Sequence, residues 1–146
     1  WIFFYLCRCL YGIVKEVGKD PAQAKIWIQG LTMVVAHDKQ AAMGELAPYF
    51  HHVNNSYGEW MNENVVEGKG AVGIDDPALK PMGLDAFKSS GILQILTPDE
   101  AIAYFRRLLE KAPVEHFTMM KPPGLPAERF MAYARIFARD VIPAFR

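Results

Sequence analysis

The run from Ile26 to Ala36, Ile-Trp-Ile-Gln-Gly-Leu-Thr-Met-Val-Val-Ala, constrains this chain more than any other feature. It is dense in β-branched and aromatic residues and carries no charge. A strand with one wet face alternates apolar with polar residues, whereas a run without that alternation is buried on both faces, and such strands belong to parallel sheets covered by helices. The expectation is an α/β fold. A chain of 146 residues suits one domain or part of a larger one. Its 51% hydrophobic and 22% charged residues exclude disorder and fibrous repeats. Sixteen Lys plus Arg balance sixteen Asp plus Glu, so no cationic surplus exists to neutralise a phosphate backbone, and nucleic acid is not an expected partner.

The chain opens at Trp1 without an initiator Met, as a processed product or an excerpt of a longer polypeptide does; the excerpt is favoured. Its first seven residues are apolar, but Arg8 interrupts them well short of the roughly 20 uncharged residues that a membrane span needs. No membrane partner is expected. Cys7 and Cys9 stand two apart and point to nearly opposite sides of a helix, which favours incidental thiols in a reducing, cytoplasmic setting over a disulfide or a shared metal.

Along the chain, Phe3, Leu6, Leu10, Val14 and Val17 recur at helical intervals over 2–17, with Gly18 and Asp20-Pro21 as the stop. Asp38 caps a second helix reaching about Trp60, whose stripe is Ala42, Leu46, Tyr49, Phe50, Val53, Tyr57 and Trp60. Pro48 within it calls for a kink or for two successive helices. From about 61 to 92 the pattern dissolves into Gly, Pro, Asn, Asp and Lys, a stretch expected to be a lid or insertion. Thr97-Pro98-Asp99-Glu100 is the clearest local signal, a capping box with proline in the first turn. The helix it starts runs to about Glu110, before Pro113. A strand over 114–120, a rigid turn at Pro122-Pro123-Gly124-Leu125-Pro126, and a final helix with stripe Phe130, Ala134, Phe137 and Val141 complete the chain, closed by Pro143. Two strand-then-helix units result, their strands expected to be parallel neighbours.

Few residues stand out as chemistry. Gly68-Lys69-Gly70-Ala71-Val72-Gly73 matches a dinucleotide fingerprint literally but lacks the strand before it and the helix after it, which favours a loop. His51 and His52 diverge by about 100° on a helix and have no ligand partner at i, i+4, so one is expected to be exposed and the other to border the apolar face rather than to bind metal. His37 follows a strand, where α/β proteins hold functional groups, and it also directly precedes a helix cap, where a solvated histidine is equally at home. Met119, Met120 and Lys121 end the last strand, at the edge where ligands sit. Lys121 either meets an anionic group there or, the reading the sequence favours, is solvated on a turn. No nucleophile–base–acid set is evident, so hydrolase chemistry is unsupported.

Several of these segments together carry a resemblance. Ile95-Leu96-Thr97-Pro98-Asp99-Glu100-Ala101-Ile102, Val114-Glu115-His116-Phe117, Gly124-Leu125-Pro126 and Phe137-Ala138-Arg139-Asp140-Val141-Ile142-Pro143-Ala144-Phe145 resemble the C-terminal portion of luciferase-like flavin-dependent monooxygenases. Upstream, Ala36-His37-Asp38 with Ala41 and Ala42, Leu46-Ala47-Pro48-Tyr49 and Tyr57-Gly58-Glu59-Trp60 are similar to the stretch preceding these motifs in one branch of that family. The resemblance implies the C-terminal part of a (β/α)8 TIM-type barrel, incomplete in this chain, with its active site at the C-terminal ends of the strands. Residues 26–36 would be the seventh strand, 114–120 the eighth, and the last helix the one closing the barrel.

It further implies reduced FMN and dioxygen acting on a small organic substrate, or hydride transfer with the deazaflavin coenzyme F420; the cofactor does the hard chemistry and the protein positions it and excludes water. The earlier strands, which supply most cofactor contacts in that family, lie outside these residues, so no catalytic residue carries over. What remains is a pocket wall of Met120, Lys121 and Pro122, with the 61–92 segment above it, and with Tyr57 and Trp60 extending it or packing in the core. Alone, such a fragment is expected to aggregate or form homo-oligomers and to bind no flavin. The competing reading is a small non-enzymatic α/β module that binds a partner through an exposed strand edge.

Overall fold

The apolar run forms two strands rather than one. In the computed structural model, which describes residues 12–20, 23, 25–63, 80–111 and 113–146, Ile26–Leu31 is β1 and Met33–Val35 is β2. Thr32 separates them: its hydroxyl donates to the carbonyl of Ile92, and its own carbonyl accepts from the N–H of Gln94 at 2.9 Å. The remaining elements are α1 (Lys39–Glu63), α2 (Leu84–Ser89), β3 (Gln94–Leu96), α3 (Pro98–Lys111), β4 (Val114–Met119) and α4 (Ala127–Ile136). A π-helical turn (Phe137–Val141) and a 3-10 turn (Ile142–Phe145) continue from α4. Ahead of β1, residues 12–16 are helical. They end in a left-handed Gly18 (φ 74°), with Lys19 N–H on the Val14 carbonyl and Gly18 N–H on the Lys15 carbonyl, the bond pair of a glycine-terminated helix.

The strands pair in parallel, as the α/β expectation required, but among the described residues there are three strand-then-helix units rather than two. β2 pairs with β3 through Met33↔Gln94, Val34↔Ile95 and Val35↔Leu96. β1 pairs with β4, with Trp27 opposite His116 and Ile28 opposite Phe117. Residues 26–36 and 114–119 are therefore neighbours in space, yet β3 and α3 come between them in the chain, and they are not successive strands. Periodicity cannot reveal a strand of three residues.

The 61–92 segment is likewise not a lid throughout. Residues 64–79, with the Gly-rich 68–73 stretch, lie outside the described residues, as do Cys7 and Cys9. The later part is core rather than lid: α2 puts Phe87 at 1% exposure among Val34, Leu46, Phe50, Leu93 and Ile95. Its apolar residues are too few and too scattered among Gly, Pro and Ser to read as a pattern. α1 is a single helix with Pro48 inside it, its ring on the exposed side, which excludes two successive helices.

Two apolar clusters flank β2. Val34 and Ala36 face α1 and α2, while Met33 and Val35 face Ala101, Phe105 and Leu108 of α3 and Val141 of the π turn. The helix stripes supply both layers, each fully buried side chain contributing roughly 1.5–3 kcal/mol. The final helix differs from expectation in ending at Ile136; Phe137 and Val141 sit on the π turn and still reach the core.

Candidate functional site

Parallel pairing sends the strands out at one edge, where His37 follows β2, Thr97 follows β3, and Met120 and Lys121 follow β4. Helix starts organise the first two. Asp38 caps α1, its Oδ1 accepting the Ala41 N–H at 2.9 Å. The expected capping box closes α3: Thr97 N–H donates to Glu100 Oε2 at 2.8 Å and Glu100 N–H to Thr97 Oγ1 at 3.3 Å. Lys39 Nζ, in the first turn of α1, donates to both Glu100 oxygens at 2.8 and 2.9 Å. Those hydrogen bonds, Lys39 first and the Thr97 N–H next, hold the Glu100 carboxyl below its usual range.

The third contributor is the π turn, a helix irregularity frequent at functional sites. Arg139 and Asp140, adjacent on it, form a two-bond ion pair with Nε to Oδ1 at 2.6 Å and Nη2 to Oδ2 at 2.7 Å. Asp140 Oδ2 also lies 3.2 Å from His37 Nε2. The guanidinium, with a smaller contribution from His37, keeps the Asp140 carboxyl below its usual range and so ionised. His37, Arg139 and Asp140, with Thr97, Pro98 and Asp99, surround an open hollow of about 580 Å³.

The other residues singled out from sequence divide into two groups. Met120 is half-buried against the cluster containing Phe50, and Pro122 is fully buried, so both serve the wall from within. Gly124 (φ 81°) turns the chain beneath them; a side chain there would approach the Tyr49 ring to 3.4 Å. Lys121 is exposed. Tyr57 and Trp60 are elsewhere. α1 starts at the strand edge and runs away from it, and Trp60, 21 positions after Lys39, lies about 32 Å along the helix at the α-helical rise. There the two aromatics are 58% and 59% exposed, pack edge-to-face at 6.3 Å, and line a separate shallow hollow with Ser56. The structure thus joins His37 to Arg139, Asp140 and Thr97, and leaves Tyr57 and Trp60 far from them.

Arg139 and Asp140 received no role from the sequence, because 102 residues separate Arg139 from His37. The hints were their place beside the stripe residue Val141 and within a segment that carries the resemblance. His51 and His52 behave as expected: His52 is exposed, while His51 Nε2 lies 2.6 Å from the Met82 carbonyl and its ring meets Phe87 edge-on. Among the described residues no cluster of three His, Cys, Asp or Glu is placed to hold a metal, and no helix is long and apolar enough to cross a membrane. A second polar cluster ties α1 to α4, where Glu45 accepts from Arg129 Nε at 2.5 Å and from Tyr133 OH at 2.6 Å. Burial, then the Glu45 hydrogen bond, pushes the Tyr133 phenol up to about 12.

Comparisons of the chain with protein-family models, curated proteins and solved structures give no match. The residues at this strand edge fit a flavin incompletely. Arg139 is spent on Asp140, the first turn of α3 carries Asp99 and Glu100, its Thr97 N–H is occupied, and Pro122 and Pro123 have no N–H to offer. The described residues build no cradle for a flavin phosphate.

Proposed function

We propose that this chain is the closing arc of a luciferase-like (β/α)8 barrel, one that oxidises or oxygenates a small organic substrate with reduced FMN and dioxygen, or with coenzyme F420. The observation that carries the reading is the parallel β2/β3 pair with a helix after each strand; β1 and β4 in addition have two unlike faces. One face packs on α3 and the π turn through Ile28, Phe117 and Phe105, whereas the other presents Trp27, His116 and Thr118, with Trp27 67% exposed and its Nε1–H bonded to Thr118 Oγ1 at 3.1 Å. A barrel strand has the same two faces, one toward the helices and one toward the lumen. Three successive strand–helix units also suit the reading, and they renumber it: residues 26–36 would be the sixth strand, β3 the seventh and β4 the eighth.

The reading makes one demanding requirement. In a closed barrel β4 must lie beside β3, and here it pairs with β1. Strands supplied by the rest of a barrel would displace that pairing. Within such a protein this chain's share is binding and exclusion of water: Met120 forms apolar wall backed by buried Pro122, and His37 and Asp140 form polar rim. A cytoplasmic, homo-oligomeric enzyme accords with it.

The test is to express the protein from its complete gene and titrate it anaerobically with reduced FMN and with F420. Stoichiometric binding of one of them, together with none by residues 1–146 alone, is expected; failure of the complete protein to bind either overturns the reading. The competing interpretation, a non-enzymatic module that pairs through a strand edge, draws on the free edge that each two-stranded sheet leaves on both sides among the described residues. A gene encoding no further strand–helix units would favour it.

A further inference from the structure

We propose that the apolar hollow enclosed by α3, β4 and the closing 3-10 turn binds a small aromatic carboxylate, its ring among the phenylalanines and its carboxylate on Arg146. The hollow has a volume of about 430 Å³. It is lined by Val114, where β4 begins, and by Leu108 and Leu109 near the end of α3, whereas His37 follows the far end of β2. Apolar clefts of about 300–1,000 Å³ with a few polar groups are the usual form of a small-molecule site. The π turn divides the two hollows: Phe137 and Val141 line this one, Arg139 and Asp140 the polar one.

The walls are aromatic. Phe105 stands at their centre and meets Phe117, Phe137 and Phe145 edge-to-face, with ring centroids 4.7, 5.8 and 6.2 Å away. Phe105 is 8% exposed and Phe145 39%, so the set is closed on the core side and open where a further ring can join it in the geometry that aromatic pairs favour. Two charged side chains that line the hollow differ in what they meet. Lys25 holds the Glu115 carboxylate, whereas Arg146 has no hydrogen-bond or ion-pair partner among the described residues. Its guanidinium is thus the uncompensated charge here, and a carboxylate is the group that its parallel N–H bonds match.

Competing occupants fit less well. A stable interface with a second copy buries roughly 800 Å² per partner, and of the large apolar side chains exposed among the described residues only Leu109 and Phe145 lie at this hollow. A metal ion finds His116 beside a Glu115 that Lys25 already holds, and no cluster of three ligands exists among the described residues. A cationic molecule would meet Arg146. The inference uses neither flavin nor His37, so it and the barrel reading fail separately.

Two measurements on the protein from its complete gene decide it, with phenylbutyrate as the probe and phenylbutanol as its uncharged counterpart. In methyl NMR spectra, phenylbutyrate is expected to shift Leu108, Leu109, Val114 and Val141 together and to saturation; the absence of a saturable shift, or one confined to other residues, overturns the proposal. Calorimetric titration reads the role of the charge. The acid is expected to bind about fivefold more tightly than the alcohol, the scale of a partly exposed ion pair. Arg146→Gln is expected to abolish that preference, and Leu109→Glu to weaken the acid more than the alcohol. Both side chains are exposed, so neither substitution opens the core. Equal affinity of the wild type for acid and alcohol, or a preference that Arg146→Gln leaves intact, overturns the assignment, and acid binding unchanged by Leu109→Glu counts against it.

Discussion

The two sheets among the described residues each take one strand from a single apolar run and end in opposite environments. β2 is enclosed, with Met33, Val34 and Val35 all buried and clusters on both faces. β1 is half-clothed, with Ile28 at 5% and Trp27 at 67% exposure. Composition does not separate them, since both are uncharged and rich in β-branched residues. The difference lies in what chain is available to cover them. α1 and α2 lie over one face of β2 and α3 over the other, while among the described residues nothing lies over Trp27. Burial is thus decided by partners, and a strand pattern states only which faces are fit to receive them.

The largest effect belongs to the enclosed sheet. Phe87→Ala removes a ring buried against Val34 and Ile95 and is expected to cost about 3–5 kcal/mol in urea unfolding, the usual range for such a truncation. A loss below about 1 kcal/mol would show that this side is not a packed core.

Trp27→Ala sharpens the contrast because its cost depends on how much protein is present. In residues 1–146 alone it is expected to change stability by less than about 1 kcal/mol, and in the protein from its complete gene by about 3–5 kcal/mol, if the open face is a covered one there. Equal effects in both would break the proposed arc.

Next come the helix caps. Thr97→Ala deletes the hydroxyl that accepts the Glu100 N–H and is expected to cost about 0.5–2 kcal/mol in thermal or urea unfolding. By contrast, the exposed Lys25–Glu115 pair at the edge of the open sheet contributes little, and Lys25→Ala is expected to leave the unfolding midpoint within measurement scatter.

Tyr133→Phe has its signature in alkali. The folded-state phenol is raised from 10.0 to about 12, so its stabilisation is complete below pH 10 and is lost as pH rises toward 12. The Glu45 carboxyl is lowered from 4.5, chiefly by Arg129 and then by Tyr133, so its stabilisation holds above 4.5 and is lost as pH falls. Unfolding measured from pH 3 to 12 is expected to decline at both ends in the wild type, and Tyr133→Phe to flatten the alkaline decline.

Much of the scaffold was legible in the residues. The capping box at Thr97 and Glu100, the Asp38 cap, the Gly18 stop and the parallel relation of 26–36 to 114–120 depend on contacts within a turn or on a face pattern, and a linear reading captures both. β3 escaped because three residues carry no period, and α2 because Phe87 is a lone aromatic among turn formers. At the site, His37 was visible as a residue after a strand. Its partners Arg139 and Asp140 were not, and the coplacement of Tyr57 and Trp60 with His37 does not occur, because helix length carries those aromatics away.

By itself the sequence determined the α/β class, the caps that start α1 and α3, the Gly18 stop, and which stripes are apolar, since each follows from local sterics, local hydrogen bonds or the period of side chains along an element. Only the tertiary structure decided that the apolar run breaks at Thr32, that a third strand enters between its halves and β4, and that a π turn delivers Asp140 to His37. Those outcomes turn on contacts between residues tens of positions apart, and the free energy of such contacts depends on the three-dimensional position of both partners, which no local pattern encodes.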